Sequence, residues 1–416
     1  MLIKKVLSLS CISGLASLFS LATNIYMARY FSIEVFANYS IIMSIVSIAI
    51  VIGCLGYDSV IIRFSKDTTE LNSYLCNLIF NSWWFVAIFL FLLVVIINLS
   101  VRVSLFESII WSIISLLLCL SALRLSIFIN INKQIFGQSV EKLTKTFLIL
   151  ASIIYASLVD EDKQLFTIAI CIFISCLFCG LISFFKLRKF GLLNFNELSN
   201  NTQNLKPNLS LFSIGIIIAV YGNIDIVLIS KLFSDDIVAN YALSIKLSLA
   251  INIVIIAVNQ ALTPIFAKKK SNRSEVKKAA DNGLIIAILF SLIFFIFVVT
   301  FKDMITEYFG DEYSITKDLL FLSAFVLLIN VLFGQTFTMM KIWGFEKKLL
   351  TSMLIAMVLK YLFVYLFYET VGYMVFMFGS FIYMIVWNML SLYQLKNKVK
   401  IDPSILGIDL FKYKRR

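Results

Sequence analysis

Apolar runs of 17 to 25 residues, each closed by a short polar cluster, recur along the whole chain. They fall at residues 6–28, 37–57, 75–99, 108–129, 143–159, 164–185, 209–230, 238–262, 282–301, 315–337, 349–369 and 371–393. Such a run, wound as a helix, crosses a hydrocarbon core of about 30 Å. Helix is the required form, because backbone groups in lipid must be paired within their own segment. The pattern therefore predicts an all-α, polytopic membrane protein of about twelve transmembrane helices, with a very tight turn joining the last two. The longest polar connectors, about 20 residues, are too short for a soluble domain.

Composition agrees. Of the 416 residues 61% are hydrophobic and 14% charged, and the mean hydropathy is +0.96; a soluble surface needs roughly 25% charged residues. Lys4 and Lys5 ahead of an apolar stretch look like the start of a signal peptide. The stretch continues to Ala28 without an Ala-x-Ala site, so it reads as a retained first span. The seven cysteines fall within apolar runs, which suits small packing residues better than disulfides or metal ligands. With no histidine in the chain, histidine proton relays, histidine metal sites and serine–histidine triads are excluded. No metal or cofactor is expected.

Charge orients the spans. With both termini and the even-to-odd connectors placed in the cytoplasm, that side holds 27 of the 36 Lys and Arg, as the positive-inside rule requires. Lys268, Lys269, Lys270, Arg273, Lys277 and Lys278 share one such connector, and Lys412, Lys414, Arg415 and Arg416 close the chain. The outer loops are acidic, as at Asp160–Asp162, Asp235–Asp236 and Asp311–Glu312. The net charge of +12 thus needs no nucleic-acid partner. Topology determinants that also meet anionic lipid headgroups account for it.

A repeat divides the chain. Residues 29–39 (Arg-Tyr-Phe-Ser-Ile-Glu-Val-Phe-Ala-Asn-Tyr) and 231–241 (Lys-Leu-Phe-Ser-Asp-Asp-Ile-Val-Ala-Asn-Tyr) share Phe, Ser, Ala, Asn and Tyr at a constant offset of 202. Both link an outgoing span to an incoming one. A six-span repeat preserves orientation, so residues 1–208 and 209–416 are expected to be two six-helix halves around a central cavity, related by an axis along the membrane normal.

The motifs Ala28-Arg29-Tyr30-Phe31, Ala37-Asn38-Tyr39, Gly53-Cys54-Leu55-Gly56-Tyr57-Asp58 and Arg63-Phe64 are joined in the second half by Asp225, residues 240–247 and residues 263–267 (Thr-Pro-Ile-Phe-Ala). Together they resemble the Wzx-type O-antigen flippases, the polysaccharide-transporter branch of the multidrug/oligosaccharidyl-lipid/polysaccharide superfamily. Length and span count carry the resemblance over the whole chain, residues over roughly the first, second, seventh and eighth spans. It implies a flippase of the bacterial inner membrane, acting in lipopolysaccharide biosynthesis. Its partners would be an undecaprenyl-diphosphate-linked oligosaccharide, moved from the cytoplasmic to the periplasmic leaflet by alternating access, and other polysaccharide-assembly membrane proteins.

Four charges stand within spans: Arg124, Asp225, Lys246 and Lys360. Each needs a partner, a wet cavity or a way out to the interface. Lys360 lies nine to eleven residues from either end of its span, about 14–16 Å from water at 1.5 Å per residue, beyond the reach of a snorkelling stem. Lys360, Lys246 and Arg124 are the candidate substrate-binding cations, since a diphosphate crossing low dielectric needs its charge countered. Snorkelling explains Arg124 equally well, and the sequence leaves open whether Lys246 or the opposite Ser244–Ser248 face looks into a lumen. Asp225 is the candidate coupling group if transport is ion-coupled, or the partner of a lysine such as Lys246. Ser10, Ser13, Ser17, Ser20 and Asn24 form one stripe on the first span, and Ser40, Ser44 and Ser47 another on the second. Such stripes line an aqueous path or let helices pack closely.

Two rivals share parts of this profile. A multidrug exporter of the same superfamily would need acidic pockets for cationic drugs, whereas the embedded charges are three basic to one acidic. A membrane-integral polysaccharide polymerase or glycosyltransferase would need a large outer loop or clustered carboxylates on an inner loop, and neither is present.

Overall fold

The computed structural model describes residues 2–63, 71–72, 74–76, 83–101, 103–193, 209–268 and 272–408. Lys269, Lys270, Lys412, Lys414, Arg415, Arg416 and the side chain of Ser10 lie outside the described residues. Among the described residues every expected span falls on helix, and no strand occurs.

Two compact units emerge, Met1–Asp235 and Asp236–Arg416. In the first, α1 (Leu2–Tyr30), α2 (Ile33–Cys54), α3 (Tyr57–Arg63), α4 (Trp83–Ser100) and α5 (Leu105–Asn130) come in order. Next come α6 (Gln134–Gln138), a π turn (Ser139–Thr144), α7 (Lys145–Ala156), α8 (Glu161–Arg188) and α9 (Leu209–Leu232). The second unit holds α10 (Asp235–Ser248), α11 (Ala250–Lys268), α12 (Arg273–Phe309), α13 (Thr316–Leu332), α14 (Thr336–Ile342), α15 (Glu346–Val371) and α16 (Val375–Val399). The first unit includes α9, which packs against α2.

By length and apolarity eight helical stretches qualify as spans among the described residues, or nine if the bent pair α13–α14 counts as one. That is compatible with twelve. The stretch Glu346–Val399 folds back on itself at Gly372, where φ is +66° and α15 turns onto α16. The helix α4 is shorter than its predicted span, whose first residues lie partly outside the described ones. The expected fifth span is interrupted by the π turn and begins earlier, at Gln134.

Large apolar side chains stay exposed on the outer faces, among them Ile293 and Phe297 of α12 and Val358 and Leu362 of α15. Exposure of this kind suits a lipid solvent. Inside, small residues set the spacing. A Cβ on Gly53 would meet Cys119 Sγ at 2.6 Å, so α2 and α5 approach more closely than any larger residue allows. Cys54 and Cys119 are buried there with free thiols, each donating weakly to a carbonyl of the facing helix.

The chain then runs back along the second unit. Ile401, Pro403 and Ser404 are buried, and the Pro403 carbonyl packs so tightly on Gly334 that a Cβ there would lie 2.1 Å from it. Gly334 also has φ +64°, a left-handed conformation open to glycine. It sits at the 46° bend between α13 and α14.

Candidate functional site

The first unit assembles a polar cluster within its helices. Arg124 on α5 donates from Nε to Glu141 Oε1 at 2.6 Å and from Nη2 to Oε2 at 3.4 Å. The Glu141 side chain is 1% exposed and that of Arg124 14%. Lys145 Nζ, at the start of α7, donates to Ser121 Oγ at 2.6 Å on α5. On α6, Gln138 accepts from Ser13 Oγ of α1 at 3.3 Å. The π turn holds one more residue than an α turn and so re-aims its side chains, placing Glu141 against α5. Gly180 on α8 gives the guanidinium room, since a Cβ there would come within 3.4 Å of Nη2.

Two of these residues were hidden in the sequence. Glu141 and Lys145 lie at the margin of the fifth span, where they read as cytoplasmic charges. The signal that could have found them is Arg124 itself: an embedded guanidinium demands an acid, and the first one downstream is Glu141.

Asp225 is also in this unit, on α9 and 3% exposed. The two serine stripes differ, that on α2 being buried at Ser40 and Ser44 and that on α1 half-buried at Ser13 and Ser17. Ser44 and Ser40 are buried, and Ser44 Oγ donates to the Ser40 carbonyl. Ser17 Oγ donates to Ser13 O and Asn24 Nδ2 to Ser20 O, one turn back, while Ser20 is exposed.

Lys360 occupies the second unit, fully buried on α15. Its Nζ donates to Ser380 Oγ of α16 at 3.1 Å and stands 5.2 Å from the Tyr361 ring centroid. Gly379 beside it lets the lysine stem pass: a Cβ would lie 3.1 Å from Lys360 Cγ. Lys246 on α10 is half-buried. The opposite face of α10 is the packed one, where Ser244 Oγ donates to Asn240 O and Thr316 O and its carbonyl accepts from Ser323 Oγ. The two units thus hold their charges separately, Arg124, Glu141, Lys145 and Asp225 in the first, Lys246 and Lys360 in the second.

Membrane-length helices carrying paired and hydroxyl-bonded charges are thus the material of the candidate site. Solved structures share this fold. An inward-facing multidrug resistance MATE family transporter of the MOP superfamily superimposes with a TM-score of 0.73 at 16% identity, over 92% of this chain and 94% of its own. The lipid II flippase MurJ, in an inward closed conformation, gives 0.72 at 15% identity, over 93% and 87%. The MATE multidrug transporter DinF-BH gives 0.63 at 15%, over 94% of both chains. No curated protein matches the chain in sequence.

Residues 2–270 match the family model described as polysaccharide biosynthesis protein, and residues 212–366 match a second, MatE. The chain belongs to the polysaccharide biosynthesis protein family. Its fold is MATE-like.

Proposed function

We propose that the protein flips undecaprenyl-diphosphate-linked O-antigen, or related repeat units, from the cytoplasmic to the periplasmic leaflet of a bacterial inner membrane by alternating access. The observation that carries this is Lys360, a cation held wholly inside a helical unit on a serine hydroxyl. Buried Glu141 is matched by Arg124 and buried Asp281 by Lys277. Lys145, Lys246 and Lys360 add cations suited to countering a diphosphate, beside one further buried acid among the described residues, Asp225. Lys360, Lys246 and Arg124 counter the diphosphate in turn as the helices rearrange. The hydroxyls of Ser13, Ser17, Ser20, Ser40 and Ser44 and the amide of Asn24 serve the sugar path, and Asp225 couples transport to protons.

A second reading, multidrug export, is favoured by the MatE match over residues 212–366 and by the multidrug neighbours. Proteoliposomes separate the two. Translocation of a fluorescent undecaprenyl-diphosphate oligosaccharide is expected, and export of a cationic dye without lipid translocation would overturn the flippase. In the same vesicles Lys360→Ala abolishes translocation while still inserting, Lys360→Arg keeps part of it, and Asp225→Asn loses substrate-driven proton flux. Full activity of Lys360→Ala removes the residue from transport, and undiminished flux in Asp225→Asn makes that residue structural.

A further inference from the structure

Where α5 gives way to α6, beside the C-terminal end of α8, lysines and phenylalanines gather on one corner of the first unit. Lys133 Nζ stands 5.6 Å from the centroid of the Phe190 ring, and Lys186 Nζ 5.8 Å from the same centroid. Lys186 Nζ is also 5.3 Å from the Phe136 ring of α6. Two left-handed residues hold the corner in shape. Asn132, at φ +59°, follows α5, and the Lys133 amide closes on the Phe128 carbonyl at 2.8 Å. Gly191, at φ +74°, follows α8, and the Leu192 amide closes on the Leu187 carbonyl at 3.2 Å. Such closures are a common way of ending a helix. They bring Lys133 and Phe190 together from different helices, and Leu192 and Leu193 anchor the corner in one buried apolar cluster with Ile127 and Phe128.

Like charges gathered on one ring repel each other. The ring face attracts each ammonium, but it cannot neutralise them. Among the described residues neither lysine forms an ion pair with a carboxylate, and neither do Arg188 and Lys189 beside them. The corner therefore attracts an anion. Its depth says which kind. The helix α8 is long and apolar enough to cross the membrane, so its last turn stands at headgroup level. Upstream on α8, Ile174, Phe178, Leu181 and Phe185 are each more than half exposed. Their helical spacing puts them on one apolar stripe that runs down to the basic turn. A cationic end with such a stripe leading to it matches an amphiphile, whereas a soluble anion leaves the stripe unused. Lysine heads carry three donors on flexible stems, so both can turn onto one phosphate.

We infer that Lys133, Phe136, Lys186 and Phe190 form a binding site for the headgroup phosphate of an anionic phospholipid of the surrounding bilayer, whose acyl chains lie along α8. Occupancy then ties α6, and the π turn that follows it with Glu141, to the end of α8.

The test uses the full chain in a neutral detergent without transported substrate, so its outcome is independent of the flippase assignment. Native mass spectrometry counts bound lipid as phosphatidylglycerol or phosphatidylcholine is titrated in. Phosphatidylglycerol is expected to bind about 25-fold more tightly, each of the two lysines contributing about fivefold. Lys133→Gln combined with Lys186→Gln should remove that preference. Lys347→Gln combined with Lys398→Gln, the same change of charge at exposed lysines of the second unit, should leave it intact. Phe190→Leu keeps both charges but not the ring that gathers them, and should weaken phosphatidylglycerol binding about threefold. Equal affinity for the two lipids would overturn the site, as would an equal loss in the two paired variants. Displacement of the lipid by excess inorganic phosphate would overturn the lipid assignment, because a soluble anion would then suffice.

Discussion

With both carboxylate oxygens turned to Arg124 and its side chain 1% exposed, Glu141 carries a charge that cannot be left alone. Removing one member of such a pair strands the other, which typically costs about 3–5 kcal/mol. Glu141→Ala should therefore destabilise by that amount, and Arg124→Met added to it should restore much of the loss. A double-mutant cycle on denaturant unfolding in detergent measures this; additive effects would show that the pair is not coupled. Lys360 differs, because the group that accepts from its Nζ across the hairpin, Ser380 Oγ, is a neutral hydroxyl. The sequence made Lys360 visible through depth alone, since no snorkelling route exists from mid-span. Glu141 stayed invisible because its burial depends on a π turn, and a single extra residue per turn leaves no mark on hydrophobic periodicity.

Helices were legible where apolar length sets them, and their interruptions were not. The bend at residues 333–335 rests on Gly334 adopting φ +64° under a carbonyl that arrives from the C-terminal segment. No local pattern announces a contact with a residue so far along the chain. That segment is itself held by Asp402, which accepts from Lys396 Nζ at 2.6 Å and from the Ser404 amide and hydroxyl at 3.0 and 2.6 Å. Partial burial pushes the Asp402 pKa up, and the hydrogen bonds outweigh it and hold the carboxyl below its ordinary value. A depressed folded pKa gives a tether complete above the unfolded value of about 3.9 and lost as pH falls through the folded one. Hydrogen exchange at residues 400–404, corrected for intrinsic rates, should thus be constant from pH 8 to pH 5 and accelerate only below about pH 4. Asp402→Asn should show the loosened behaviour already at pH 7. Protection unchanged in that variant would assign the tether to burial of Ile401 and Pro403 instead.

At the scale of the molecule, the proposal of an oriented pair of halves rests on repeat and charge asymmetry together. The compact units place the seventh helix with the first six, a packing choice that a repeat in sequence cannot reveal. The proposed orientation puts both termini and residues 268–278 in the cytoplasm, with Asp162 and Asp311 outside. Cysteines placed at Asp162 and Asp311, in a background cleared of native cysteines, should react with an impermeant thiol reagent in intact cells. Labelling at Ser271 in their place would invert the protein and with it the direction of transport.

The hairpin at Gly372 also sets an order of birth. Lys360 leaves the ribosome 20 residues before Ser380, a lag of about 1–4 s at ordinary synthesis rates. During that interval the lysine sits near the middle of a nascent apolar helix without its hydroxyl, at a cost to insertion of about 2.5–3.5 kcal/mol. The turn between the two helices is three residues long, so the second helix is delivered directly beside the first. The eleventh and twelfth spans are therefore expected to enter the bilayer as a pair, and lengthening the turn should lower the yield of inserted protein.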